Sequence, residues 1–184
     1  MGVLPDRWIR EMALTGRLIK PYAERSEREG LISYGLSSYG YDCRLAPEYK
    51  IPVPGRGKCL NPKVMDAVSF RDYSGPDCLI PVNSFILGRS LEYFRIPRDV
   101  LVICQGKSTY ARSGVIVNIT PLEPEWEGHI TIALANAGPR PVRVYSGEGI
   151  AQLIFIRAEN HCEASYSDRR GKYQAQKGIQ VSRV

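Results

Sequence analysis

Residues Gly106–Asn136 read GKSTYARSGVIVNITPLEPEWEGHITIALAN, and the last third of that stretch sets the architecture. From position 129 onward, Ile130, Ile132 and Leu134 alternate with His129, Thr131, Ala133 and Ala135. A period of two puts the bulky apolar set on one face and the small and polar set on the other, the mark of a half-buried β-strand. Val115–Ile119 is a second apolar run of strand length, set apart by Pro121, Pro124 and Gly128.

The same grammar extends to both sides. Strands are predicted at 41–45, 49–53, 78–80, 84–90, 100–104, 142–145 and 150–156, separated by Pro and Gly. No fixed-period repeat occurs. The pattern is mostly β, a sandwich or barrel. A short N-terminal helix is expected from Asp6 as cap through Thr15, with Trp8, Ile9, Met12 and Ala13 on one face and Gly16 as its stop. The 184 residues, 43% of them hydrophobic and 24% charged, suit a single globular domain over 1–184. The longest apolar runs are too short to span a bilayer, so no membrane partner is expected. Five scattered cysteines and no apolar leader at the N-terminus predict reduced thiols and a cytoplasmic setting.

Chemistry concentrates at Gly106–Arg112. One glycine, two hydroxyls and two cations within seven residues can cradle an anion, with Lys107 and Arg112 supplying charge. The net charge of +6 agrees with an anionic partner. It is not a Walker loop, because the Gly-x4-Gly-Lys-Ser/Thr spacing is absent. A zinc site is not expected: there are two histidines, no Cys-x-x-Cys and no His-x-Glu beside a cysteine pair. Nucleic-acid binding is not expected either, since the basic residues are not interleaved with an aromatic platform. The tail from Ser165 is polar and cationic. It reads as a solvated terminus or as a lid over 165–184 that orders over an anion.

Six stretches carry a resemblance. They are Ser38–Arg44 (SYGYDCR), Glu92–Pro97 (EYFRIP), Gly106–Arg112, Val117–Thr131, Gly149–Gln152 (GIAQ) and Gly171–Gln176 (GKYQAQ). In order and nearly end to end, they resemble the dCTP deaminases of the trimeric dUTPase superfamily. The resemblance implies a distorted jelly-roll or β-barrel of the dUTPase-like type. It implies a homotrimer with sites between subunits and hydrolysis of dCTP to dUTP and ammonia, in the synthesis of dUMP and dTTP. It further implies Mg2+ accompanying the triphosphate, no zinc, and frequent inhibition by dTTP. By position, Lys107, Ser108, Thr109, Tyr110, Ala111 and Arg112 should form the phosphate and water site. Thr131, Ile132 and Ala133 should line cytosine and sugar, and Gln152, Tyr166, Lys172 and Gln176 should also meet nucleotide. The attacking water should sit between the Ser108 hydroxyl and the carbonyls of Ile119 and Pro121, with Ser108 and Arg112 in catalytic roles.

One position departs. The family carries a glutamate two residues after Thr131, and Ala133 stands there. That glutamate is the proton relay, and alanine can neither accept nor donate a proton. Loss of a positioned acid–base group costs roughly 10² to 10⁴ in rate. The expectation is a folded, nucleotide-binding chain with little or no turnover. Two origins stay open: a substitution introduced into a working deaminase, or a natural homologue that only binds or that uses Glu123, Glu125 or Glu127 instead. Rival readings are a dUTPase-like or bifunctional diphosphatase, with Glu123 in the register of the water-activating aspartate, and a non-catalytic nucleotide sensor.

Overall fold

The computed structural model describes residues 2–53, 61–63 and 70–182. Cys59 and the last two residues of the expected lid lie outside them. The elements in order are β1 (Gly2–Val3), α1 (Asp6–Leu14), β2 (Ile19–Lys20), β3 (Gly35–Ser37), β4 (Gly40–Pro52), β5 (Phe70–Ser74) and β6 (Asp77–Ile80). Then follow β7 (Phe85–Arg95), β8 (Val100–Gly106), α2 (Ser108–Ala111), β9 (Val115–Asn118), β10 (Glu127–Asn136), β11 (Val142–Tyr145) and β12 (Gly149–Arg157). The mostly β class and the short N-terminal helix are as expected.

Helix α1 buries Ile9 and Ala13 and packs Trp8 and Met12 on the core, so the predicted face is the buried one. Its start differs from expectation. Pro5, in extended conformation, is the cap and makes no side-chain cap bond, while Asp6 is already helical. Proline lacks only an N–H that the first turn would leave unpaired anyway. Gly16 ends the helix at φ +70°, its N–H donating to the Ala13 carbonyl at 2.8 Å.

Ten strands form one curled antiparallel sheet along the path β1-β12-β4-β7-β10-β9, with β2 on β7, β3 and β5 on β4, and β8 on β12. Strands β6 and β11 make a separate pair. The curl is built into β4, which fuses the two strands expected at 41–45 and 49–53. Its first part pairs with β12 (Tyr41 opposite Leu153), its second with β7 (Lys50 opposite Leu87), and the register shifts between Leu45 and Tyr49. Leu45 and Ala46 are both buried, so the alternation breaks there, and exposed Pro47 follows. A local irregularity of this kind bends and twists a strand.

The core lies inside the curl, with Tyr41, Tyr49, Phe94, Phe155, Ile86, Ile132 and Leu134 fully buried. Each such side chain contributes roughly 1.5–3 kcal/mol of transfer free energy. One buried ion pair ties β4 to β7: Glu92, with no exposure, accepts from Arg44 Nε at 2.7 Å and from the Arg44 backbone N–H at 2.9 Å. Four strands escaped the sequence reading. β1 and β2 are two residues each. β3 lies in a Gly- and Ser-rich stretch, and β5 (FRDYS) exposes its last four residues. Too short or too polar to alternate, they form because a neighbouring strand offers free backbone groups. No helix among the described residues is long and apolar enough to cross a membrane.

Candidate functional site

Strand β8 ends at Gly106 and the chain turns into the four-residue helix α2. Ser108, Thr109, Ala111 and Arg112 are exposed there, and Tyr110 is buried. The Tyr110 hydroxyl accepts the Tyr145 N–H at 3.1 Å, and burial pushes its pKa up to about 12. Tyr110 is thus an anchor that holds the exposed hydroxyls in place. Among the described residues, Arg112 makes no ion pair. Lys107 is occupied: its ammonium donates to Asp42 Oδ2 at 2.7 Å and to Ser33 Oγ at 3.3 Å. Gln152 stands opposite Asp42 in the β4–β12 register, and cross-strand partners share a face. Its amide donates to Ser37 Oγ at 3.0 Å, beside a shallow groove lined also by Ser38 and Tyr39. Lys107 therefore contacts the Asp42 carboxylate, while the Gln152 amide is engaged by Ser37 one strand further on. Sequence reasoning did not single out Asp42 or Ser33, although Asp42 lies within the matched SYGYDCR stretch.

Strand β10 alternates as predicted. Ile130, Ile132 and Leu134 are buried, whereas His129, Thr131, Ala133 and Ala135 lie on the other face, half-buried. Ile132 is fully buried and can offer a ligand only its backbone. Ala133 pairs with Leu87 on β7 and Asn118 on β9. Two positions along a strand from Thr131 is about 7 Å, on the same side. His129 Nδ1 lies 3.1 Å and 3.0 Å from the carbonyls of Ser90 and Glu92. Two acceptors at that range make Nδ1–H the donor, so nearby Arg89 is a charge neighbour rather than a hydrogen-bond partner. Burial first, and the Arg89 charge second, lower the His129 pKa below its ordinary value.

The tail docks on the start of β10. The Trp126 indole N–H donates to the Tyr173 carbonyl at 3.1 Å, and the Ala175 N–H to the Glu127 carbonyl at 2.9 Å. The His129 N–H donates to the Gln176 carbonyl at 3.0 Å, while the Gln176 amide reaches the His129 carbonyl and the Thr131 hydroxyl. Gly128 allows this approach. It sits at φ +148°, and a Cβ there would lie 2.9 Å from Gln176 Cγ. Ser165 and Asp168 exchange side-chain-to-backbone bonds, forming a tight turn at the start of the tail. Asp168 then pairs with Arg98 at 2.8 Å, and Arg169 pairs with Glu123.

Under the tail lies a cavity of about 400 Å³. Ile119, Pro121, Thr131, Tyr166 and Gln176 line it, as do Trp126, Tyr173 and Gln180, which the sequence reading missed. The Tyr166 hydroxyl accepts the Tyr173 N–H at 3.0 Å. Lys172 is exposed, its ammonium 5.4 Å from the Tyr173 ring centre. The expected site residues thus fall on two separate surfaces of one chain. Thr131, Tyr166 and Gln176 line the cavity, while Lys107 is bonded to Asp42 and Gln152 to Ser37. Ser108, Thr109, Ala111 and Arg112 stand exposed on and beside α2 and do not line the cavity. The three carboxylates considered as substitutes for the base are all ion-paired: Glu123 with Arg169, Glu125 with Arg98 at 2.6 Å, and Glu127 with Arg95 at 3.1 Å. Among the described residues, no three His, Cys, Asp or Glu side chains gather as a metal site. The exposed cation Arg112 suits a triphosphate rather than a bare divalent ion.

An antiparallel β-fold of this kind is shared with the crystal structure of 2'-deoxycytidine 5'-triphosphate deaminase from Agrobacterium tumefaciens. The TM-score is 0.61 at 15% identity, with 84% of this chain aligned to 47% of that one, so this chain spans about half the length of that neighbour. At that identity the likeness is one of fold. Closer in sequence is the dCTP deaminase of Rhodospirillum centenum (strain ATCC 51521 / SW), 56% identical over the full length of both chains. The dCTP deaminase of Granulibacter bethesdensis (strain ATCC BAA-1260 / CGDNIH1) is 54% identical, again over the full length of both. The profile of the family described as dCTP deaminase-like matches residues 3–158. The chain belongs to that family.

Proposed function

We propose that this chain binds dCTP with its Mg2+ as a homotrimer, in the hydrolytic route from dCTP to dUTP and ammonia. The observation that carries the reading is the cavity beneath the tail. Thr131, Tyr166 and Gln176 line it together with Ile119 and Pro121, the residues that the family resemblance assigns to nucleotide and water. The phosphate-facing group, Lys107 to Arg112 with Gln152, lies on a separate surface, so a complete site requires two subunits facing each other. Residues 165–184 act as the lid, with Lys172 brought toward the triphosphate. Mg2+ enters as part of the substrate, where it offsets phosphate charge. The chain works as one domain in a cytoplasmic nucleotide pool, with dTTP as a competing ligand.

The reaction adds water at C4 of cytosine and expels ammonia. The Ser108 hydroxyl and the carbonyls of Ile119 and Pro121 hold the water. Ala133 occupies the position from which the family's glutamate takes the water proton and delivers it to the ring. The methyl group leaves binding intact and removes the relay. A diphosphatase reading is weaker, because Glu123, its base in that register, is ion-paired with Arg169.

The test is release of ammonia and dUTP from dCTP with Mg2+, comparing this chain with Ala133→Glu. Turnover by the glutamate form alone identifies a deaminase lacking its base. No turnover by either, with dCTP still bound, identifies a nucleotide sensor. Pyrophosphate release would instead identify a diphosphatase.

A further inference from the structure

We propose that Asp42 is a positioning residue for the phosphate site, acting through Lys107; the inference rests on the reading of Lys107 as a phosphate ligand. The Lys107 ammonium is bonded to Asp42 at 2.7 Å and to Ser33 Oγ at 3.3 Å, with side-chain exposures of only 12% for Lys107 and 14% for Asp42. The stem of Lys107 is held as well as its tip. Its backbone N–H donates to the Ile150 carbonyl at 3.2 Å, and its Cδ passes over Gly149. A Cβ at Gly149 would lie 3.0 Å from Lys107 Cδ and 2.1 Å from the Ser33 carbonyl, so only glycine leaves the trough open.

A lysine side chain left to itself samples many rotamers, and ordering it on a ligand costs conformational entropy. Here that ordering is done before any ligand arrives. Asp42 itself does not touch phosphate, since two anions would repel. It leaves two of the three ammonium hydrogens to Ser33 and to the ligand.

The experiment is a double-mutant cycle on the intact oligomer, using calorimetric binding of Mg·dCTP and, in parallel, of deoxycytidine. Asp42→Ala is expected to weaken Mg·dCTP about tenfold, the usual size of one pairwise coupling, and to leave deoxycytidine unchanged. Asp42→Asn, which keeps an acceptor of the same shape, should fall between. In a Lys107→Ala background, Asp42→Ala should cost nothing further. Equal losses for dCTP and deoxycytidine, or the same loss with and without Lys107, would overturn the proposal in favour of a purely structural role. If Lys107→Ala alone leaves dCTP affinity intact, the phosphate-ligand reading fails instead. Should Asp42→Ala not fold, Asp42→Asn carries the same comparison.

Discussion

At position 133 a methyl group stands on the half-buried face of β10 that carries Thr131, flanked by Leu87 and Asn118. Its neighbours tell what the exchange does to the protein. The site is only half-buried, and a carboxylate there would share its face with Thr131 rather than with the core. Ala133→Glu should therefore fold, and it should raise deamination by at least ~10² over this chain, read as ammonia release. Four positions earlier, His129 predicts a pH effect. Its folded pKa lies below the ordinary 6.5, so the unfolded chain binds the proton more readily. Its neutral form thus contributes stability that is full above about pH 6.5 and is lost as pH falls through the lower folded value. Thermal melts should show a drop in that window, and His129→Gln should flatten it. An undiminished drop in the variant would place the titration elsewhere.

Strand β10 and the tail make opposite demands on a sequence reader. β10 alternates strictly, so its existence, its faces and the core membership of Ile130, Ile132 and Leu134 were all legible. Ile132→Ala should destabilise by about 2–5 kcal/mol, measured by denaturant titration, since the fully buried side chain leaves a cavity. The tail is polar and has no periodicity, and its placement depends on backbone bonds to Glu127 and His129, which no composition encodes. Undocking it should be simple. Gly128→Ala puts a Cβ against Gln176 and forces a positive φ on alanine, at a cost of about 1–3 kcal/mol. Trypsin should then cut after Arg169, Arg170 and Lys172 faster than in the parent chain, both proteins being free of nucleotide. Equal rates would mean that the bonds to Glu127 and His129 do not hold the tail. β4 shows a further limit. Two strands were expected because the alternation breaks at Leu45–Ala46, whereas the chain continues as one strand through a register shift.

For the whole molecule, the decisive point is that the candidate residues do not converge within one chain. The cavity gathers Thr131, Tyr166 and Gln176, while Lys107, bonded to Asp42, and Gln152, bonded to Ser37, do not line it. If sites form between subunits, defects on opposite surfaces should complement. In the Ala133→Glu background, chains with Arg112→Ala and chains with Gln176→Ala should each be poor enzymes. Unfolded and refolded together, they should regain activity through mixed sites that are intact on both sides. A mixture no better than either parent would place the whole site within one subunit. Light scattering on the unmixed protein should show a trimer.

The alternation of apolar residues carried the β class, the helix face and most strand positions, because burial periodicity is written residue by residue. The ordered motifs carried the family, and with it the list of residues to inspect and the departure at Ala133. Where those residues stand was settled by long-range pairing. Register set Gln152 opposite Asp42, the curl through β4 shaped the core, and backbone bonds seated the tail over Thr131. These depend on partners far apart in the chain, and a cation such as Lys107 looks the same in sequence whether it faces solvent or a carboxylate 65 positions away.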